Sequence, residues 1–440
     1  MKQPPVPAGD ALAGSASGHD APLGQVTIAR FLQRHWQRRP LLVRGALPAG
    51  SLDAMFPIRD LFALAADRDV ESRLIRAPAA GDTRPGGTRP GGTTPGKPGG
   101  PDSWRLQPGP LARLPARRTP GWTVLVQGVD LHRAAGRALL DRFRFVPDAR
   151  IDDLMLSHAS DGGGVGPHVD SYDVFLLQIR GRRRWRIAPP RRDAPWQLRP
   201  DQPIRVLADF TPTEDWLLDP GDMLYLPPGW AHEGTAVGEC TTASIGFRSP
   251  TPRELRQAFF AALADEEEPA DRRRATADRR YRDHQRTPAT HPARIPDEMA
   301  TTLADWLRRP PSHDTIERFI GRFLTEPKPN VWFDGDDSGS DRAGGGSDRR
   351  RAPDARPAGL GLDRRTRMLY RGARVFINGE ALTPPRTALG WLQRLADHRA
   401  LDRRETAAAR RDRWLRTLFD DWCSAGWAHP APVPRPDRPR

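Results

Sequence analysis

The sequence predicts an α+β chain: a small antiparallel β-barrel holding three metal ligands, then a run of helices, then a compact hairpin-containing module. Three observations predict it. The stretch Ser157-His158-Ala159-Ser160-Asp161-Gly162-Gly163-Gly164-Val165-Gly166-Pro167-His168-Val169-Asp170 ends in an H-x-D pair, and Gly229-Trp230-Ala231-His232 answers it. Two imidazoles and a carboxylate can take one face of an octahedral Fe(II) and leave three positions open. Short apolar runs occur at Val174 to Ile179 and Met223 to Leu226, the second entered through Asp219-Pro220-Gly221-Asp222, a turn with Pro at i+1 and Gly at i+2. After Phe247 the apolar spacing becomes helical, as at Leu255, Ala258, Phe259 and Leu263.

Taken in order, residues 1–24 are rich in Ala, Gly, Pro and Ser and read as disordered. Ile28, Phe31, Leu32 and Trp36 fit one helix face, Pro40 stops it, and Leu41-Leu42-Val43 begins a strand. Ile58, Leu61, Phe62 and Ala65 mark a second helix. Residues 78–101 repeat Thr-Arg-Pro-Gly-Gly from Thr83 and again from Thr88; such a segment buries no apolar area and reads as a surface loop without function. Trp122 to Val126 reads as a strand, Ala134 to Phe143 as a helix, and Asp153 to Ser157 as the strand into the metal loop. On a strand, His168 and Asp170 point to one side. The glycines Gly162 to Gly164 and Gly166 permit irregular backbone before them, and Pro167 biases Gly166 toward an extended conformation. Met223 to Leu226 delivers His232 just beyond its end, and Cys240 to Phe247 closes the barrel.

Beyond it, the Arg/Asp-dense run from Asp271 to Arg286 reads as a solvated helix or an interface edge. Ile295, Met299, Leu303, Trp306 and Leu307 form one helix, and Ile316, Phe319, Ile320 and Phe323 another. A second low-complexity stretch spans 334–359. Strands at Thr366 to Tyr370 and Arg374 to Ile377 are followed by Asn378-Gly379, a strong hairpin signal, and helices start near Ala388 and Arg413.

Composition narrows the function classes. The formal net charge is +14 and the pI about 10.9. An anionic partner such as RNA is one reading. Compositional drift is the other, since Lys2, Lys97 and Lys328 are the only lysines among 69 basic residues. Cys240 and Cys423 make neither a disulfide framework nor a zinc-site spacing. The N-terminus lacks a secretory apolar region, and no apolar run reaches bilayer length, so a reducing cytoplasm is expected.

The run Gly162-Gly163-Gly164-Val165-Gly166-Pro167-His168-Val169-Asp170-Ser171-Tyr172-Asp173-Val174-Phe175, with Gly181-Arg182-Arg183-Arg184-Trp185-Arg186, resembles the JmjC-type, cupin-fold oxygenases that use Fe(II), 2-oxoglutarate and O2. Within them it is similar to the bacterial ribosomal oxygenases that hydroxylate an arginine of a large-subunit ribosomal protein. The resemblance is strong from about Gln25 to Pro252, apart from the insertion, and looser after that. It implies a double-stranded β-helix (jelly-roll, cupin) catalytic domain over 25–252, a helical dimerisation segment over 253–325, and a winged-helix-type domain over 326–440. It further implies a homodimer that acts on a ribosomal protein, converts 2-oxoglutarate to succinate and hydroxylates an arginine β-carbon. No membrane is involved. Nucleic-acid binding is possible but not expected of the later module, because Arg371, Arg374 and Arg394 are interleaved with Asp397 and Asp402.

By the same resemblance His168, Asp170 and His232 are the metal ligands. Arg183 receives the far carboxylate of 2-oxoglutarate, a role its planar fork suits. Strand alternation then turns Arg182 and Arg184 outward. Ser157 matches the family's hydroxyl donor to that carboxylate; an ordinary strand serine is the other reading. His158 faces the opposite side and reads as structural, Asp173 and Asp222 as turn or network carboxylates, and Glu233 has no assignable role. Asp161 either meets a substrate guanidinium or caps its own loop. Two rivals stand beside the oxygenase: a cupin holding another metal, such as a sugar-phosphate isomerase, and an inactive cupin that docks on ribosomes through basic charge. The H-x-D step and the strand arginine favour the oxygenase.

Overall fold

The protein was analysed as a computed structural model, which describes residues 21–78, 103–191, 195–265, 297–308, 311–333 and 359–431. The expectations for the N-terminus before Ala21, for the insertions at 79–102 and 334–358, and for Asp271 to Arg286 lie outside the described residues. Two units divide the chain: Met1–Ser249 with Pro329–Trp332, and Pro250–Lys328 with Phe333–Arg440.

The first unit opens with α1 (Ile28–Arg34), whose N-cap Thr27 accepts from Arg30 N, then β1 (Leu41–Val43), α2 (Ala49–Met55) and α3 (Ile58–Ala66). Next come β2 (Ser72–Arg76), β3 (Arg105–Pro108), β4 (Trp122–Val126), α4 (Val129–His132), α5 (Ala134–Asp141), β5 (Ile151–Ala159) and β6 (His168–Val169). The unit is completed by β7 (Val174–Ala188), β8 (Glu214–Leu218), β9 (Met223–Leu226) and β10 (Ala231–Phe247). They form one ten-stranded sheet in the order β1-β9-β7-β10-β5-β4-β2-β3, with β6 on β10 and β8 on β7.

The two long strands make the double-stranded β-helix. β7 pairs with β9 through Val174 to Leu177 and with β8 through Arg183 to Ile187. β10 pairs with β7 along both halves, and the register slips between Val237 and Thr242. Gly181 sits opposite that slip at φ +62, where a Cβ would lie 2.1 Å from the Glu239 carbonyl oxygen. Only a glycine fits there. Each long strand thus bends from one layer into the other. The tetrad before β9 is a turn as expected: Asp222 N donates to Asp219 O at 2.9 Å, and Gly221 takes φ +94.

The core between the layers gathers Phe31, Trp122, Phe143, Phe175, Tyr225 and Phe247. Phe31, the buried residue of α1, meets the Tyr225 ring edge-on at 4.9 Å. Each such side chain contributes roughly 1.5–3 kcal/mol by leaving water. Beneath them, Asp173 accepts from Tyr225 Oη at 2.6 Å and from Gln37 Nε2 and Arg150 Nη2 at 3.2 Å. Asp222 accepts from the backbone of Gly45 and Asp219 and pairs with Arg44. Both are network carboxylates.

In the second unit, α6 (Pro252–Asp265), α7 (Asp297–Arg308) and α8 (His313–Thr325) precede β11 (Gly359–Leu362), β12 (Met368–Arg371), β13 (Arg374–Ile377) and β14 (Glu380–Leu382). There follow α9 (Arg386–His398), β15 (Ala400–Leu401), α10 (Arg403–Ala409), α11 (Arg413–Ser424) and β16 (Ala428–Ala431). Asn378 and Gly379, at φ +47 and +85, make the tight turn between β13 and β14. Leu392, Leu395, Leu415, Phe419 and Trp422 form its core under two three-stranded sheets, the winged-helix architecture. Among the described residues no helix is long and apolar enough to cross a membrane.

Candidate metal centre

The metal loop is a set of close backbone approaches. A Cβ on Gly163 would lie 2.3 Å from the Trp122 carbonyl oxygen, and one on Gly164 2.4 Å from that of Gly234. Gly166 departs from the extended conformation expected before proline: it takes φ +74, with a Cβ position 2.8 Å from the Trp104 ring. Lacking a Cβ, it escapes the restriction that Pro167 would place on any other residue. This brings β6 onto β10, with His168 directly opposite His232. His232 is therefore the second residue of a long strand rather than a loop residue beyond β9. Gly229 N donates to Asp170 O at 2.9 Å and locks the two ligand segments together.

His168, Asp170 and His232 converge, each offering an atom within 4.8 Å of the others. The imidazole centroids are 4.2 Å apart, and His232 Nε2 lies 3.6 Å from Asp170 Oδ2. His168 Nδ1 sits 2.9 Å from Gly166 O and His232 Nδ1 3.0 Å from Trp230 O. A main-chain acceptor at each Nδ1 fixes the proton there and presents Nε2 as the ligand atom. Burial, followed by the neighbouring His168, lowers the His232 pKa to about 4, so the imidazole is neutral as a metal ligand must be.

The basic triplet on β7 splits as alternation requires. Arg183 is 2% exposed, while Arg182 and Arg184 face solvent and Arg184 pairs with Asp215 at 2.8 Å. Arg183 Nη2 donates to Gly234 O at 3.1 Å, and Nη1 lies 3.4 Å from Ser157 Oγ. Its Nε has no partner, and among the described residues it makes no ion pair. Burial pulls its pKa down from the usual value; a guanidinium is in any case not deprotonated in proteins. Such a group calls for an anion. Space for one edge of it comes from Gly234, where a Cβ would stand 2.6 Å from Arg183 Nε and 2.7 Å from the Trp185 ring. Sequence reasoning passed over Gly234, although His232-Glu233-Gly234 places it one strand period after the ligand.

Ser157 stands beside Arg183, and the other residues singled out have partners outside the ligand cluster. Ser157 is buried, its hydroxyl 3.4 Å from Thr242 O. His158 is fully buried between Phe62 and Trp122, bonded through Nδ1 to Thr241 Oγ1 at 2.9 Å. Its Nε2 is 3.0 Å from Glu239 Oε1, off the direction a hydrogen bond needs. Asp161 is exposed, and its carboxylate accepts from Gly238 N at 2.7 Å. Glu233 pairs with Arg186. Tyr172, 41% exposed and two residues past Asp170, has its hydroxyl pKa raised by burial and then by Asp170, Asp153 and Asp152.

Comparison with known proteins locates these parts. The JmjC domain family matches residues 138–255, and the ROXA-like winged helix family matches residues 301–429. The chain is 33% identical over 302 residues to the ribosomal protein uL16 3-hydroxylase of Escherichia coli (strain K12), covering 68% of this chain and 71% of that protein. It is 34% identical over 232 residues to a probable ribosomal oxygenase of Haemophilus influenzae, covering 52% of each. Among solved structures, E. coli YcfD superposes with a TM-score of 0.70 at 27% identity, over 92% of this chain and 98% of that one. A YcfD structure described as a ribosomal oxygenase in complex with cobalt and 2-oxoglutarate superposes with a TM-score of 0.64 at 26% identity, over 91% and 97%.

Proposed function

The chain belongs to the ribosomal oxygenase family of JmjC-domain proteins, and from that premise we propose that it is an Fe(II)- and 2-oxoglutarate-dependent hydroxylase of an arginine side chain in a large-subunit ribosomal protein. The observation that carries this reading is the pairing of a three-ligand cluster with a buried guanidinium that has no carboxylate partner among the described residues. In this reading His168, Asp170 and His232 hold Fe(II), and Arg183 with Ser157 binds the far carboxylate of 2-oxoglutarate. A set of two nitrogens and one oxygen suits iron with open positions, and the cobalt complex of a relative is in keeping with it. When bound, iron and 2-oxoglutarate supply the oxidation: O2 is consumed, 2-oxoglutarate loses CO2 to become succinate, and one oxygen atom enters a substrate C–H bond.

The residues of the chain set the geometry. The Nδ1 bonds of His168 and His232 aim both Nε2 atoms at one point. Arg183, two residues from Trp185 on the same strand face, fixes the depth to which a five-carbon diacid enters. Buried Trp185, whose ring centroid lies 5.9 Å from that of His232, and Ile187, paired across from His232, keep water from the walls. Asp161, whose carboxylate caps Gly238 N, serves its loop first in this reading. A cupin with a different metal has no use for a buried unpaired arginine, and an inactive scaffold has no use for the aimed imidazoles.

We further propose a cytoplasmic homodimer joined through α6 and α8. Phe259 packs on Phe319 at 4.9 Å, while Phe260 is 66% and Ile320 45% exposed on the same pair of helices. The test of the activity is incubation with Fe(II), 2-oxoglutarate and a large-subunit ribosomal protein mixture. Succinate should form in step with one added oxygen atom on an arginine. Succinate without a modified arginine, or no succinate, contradicts the proposal.

A further inference from the structure

Most of the charge near the metal centre is compensated, but one surface of the first unit is not. From Ala21 to Leu52 the chain has no Asp or Glu, although it carries 55 of them in 440 residues, and it places Arg30, Arg34, Arg38 and Arg39 there together with Arg44. Arg44 is paired with Asp222 at 2.5 Å. Among the described residues the other four make no ion pair, and all four are exposed. Gln33, Arg34, Arg38 and Arg39 line a shallow open depression at the end of α1. Arg30 and Arg34 stand one turn apart on one face of a helix with no acid in its first turn. Like charges at i, i+4 weaken a helix.

Two of these arginines have a structural duty. Arg38 donates through Nη1 to Gln33 O, and Arg39 through Nε to Arg34 O at 3.0 Å, so each satisfies a carbonyl at the helix end. A guanidinium has five donors, so these bonds leave most of each fork for a ligand. Arg30 and Arg34 have no such duty.

The surface is held stiffly. Gln37, at φ +58, donates from its backbone to Tyr225 Oη at 2.7 Å and from its side chain to buried Asp173. Trp36 packs edge-on to Phe247 at 5.1 Å, with the Arg150 guanidinium 5.4 Å from its ring. A turn fixed to the core at Trp36 and Gln37 holds the backbone that carries Arg34, Arg38 and Arg39, so little main-chain freedom is lost on binding.

We propose that this face of α1 and the turn after it docks the phosphate backbone of RNA, a contact separate from the metal centre and from the winged-helix unit. The planar forks of these arginines, in an acid-free stretch, suit bidentate phosphate recognition. The choice of RNA over other polyanions rests on the proposed ribosomal substrate. A ribosomal protein is met beside RNA, and a phosphate contact would hold the enzyme near its target without reading sequence.

The test uses the full chain, deproteinised ribosomal RNA, and binding measured across a range of salt. Replacing Arg30 and Arg34 by Gln removes two charges and no hydrogen bond that holds the fold. The slope of log affinity against log salt should fall by about 1.4 to 1.8, at about 0.7 to 0.9 for each phosphate contact. Arg38→Lys with Arg39→Lys keeps the charge while losing the forks, and should keep the slope. Turnover of a short arginine peptide should be unchanged in the Gln variant, a readout that separates failure of the docking surface from failure of the hydroxylase. An unchanged slope in the Gln variant overturns the proposal, as does an absence of salt-dependent RNA binding in the parent. Loss of binding to polyglutamate or to phosphatidylglycerol vesicles with RNA binding intact would equally overturn it.

Discussion

Replacing Arg183 by Met should separate stability from co-substrate use. Met approximates the length of the side chain but carries no charge. The parent keeps a guanidinium at 2% exposure with two hydrogen bonds, one of them 3.4 Å long, and no carboxylate partner among the described residues. Exchange of buried charge for apolar bulk is often neutral or stabilising by about 1–4 kcal/mol. The ligand-free variant should therefore melt at or above the parent. Binding of 2-oxoglutarate should suffer, because each charged hydrogen bond is worth about 1.5–3 kcal/mol. Loss of roughly 2–4 kcal/mol is about a 30- to 700-fold fall in affinity. At a concentration 100 times the parent dissociation constant, ligand stabilises the parent by about 2.7 kcal/mol, whereas the variant should gain about 0.9 kcal/mol or less. Thermal melts with a non-oxidising divalent metal, with and without 2-oxoglutarate, read both quantities. A variant that melts lower without ligand yet keeps the full ligand shift would refute the reasoning, and so would an equal loss on exchanging exposed Arg182 for Met.

Three other outcomes are expected. His168→Ala and His232→Ala should each abolish iron-dependent turnover while leaving a folded chain; circular dichroism and metal titration check this, and a variant with near-parent turnover would remove the residue from the ligand set. The metal-free protein should lose stability as pH falls from 6.5 to about 4, because the unfolded chain then takes up protons that buried His158 and His232 refuse; the slope is about 1.4 kcal/mol per pH unit for each, and denaturant midpoints that stay level across that range would contradict it. Light scattering at moderate salt should show a dimer, and Phe260→Asp with Ile320→Asp should yield monomers.

The sequence made the site legible where its signals are short in range. The i, i+2 period placed His168 beside Asp170 and turned Arg183 inward between outward neighbours. The residues of the Asp219 to Asp222 tetrad dictated a turn, and Asn378-Gly379 dictated another. What was missed depends on contacts far apart in the chain. β2 and β3 pair directly, Arg76 opposite Arg105, but the insertion between them hides a hairpin that neither strand announces alone. β10 was visible only from Cys240 onward, because the slip near Gly238 breaks its apolar alternation while the backbone continues. Gly234 and Tyr172 gain their meaning from neighbours on other strands, Arg183 and Trp185 for one and Asp153 for the other. Gly166 shows the limit of a local rule: the pre-proline bias holds for residues with a Cβ.

In the proposed reading this chain hydroxylates an arginine on a ribosomal protein through the His168, Asp170 and His232 centre. Mass spectrometry of large-subunit ribosomal proteins tests it most directly, comparing cells that have the gene, cells that lack it, and cells restored with the His168→Ala form. One arginine should bear an added oxygen atom at its β-carbon in the first cells and be bare in the other two. An arginine modified equally in all three, or the added oxygen on another residue type, would contradict it.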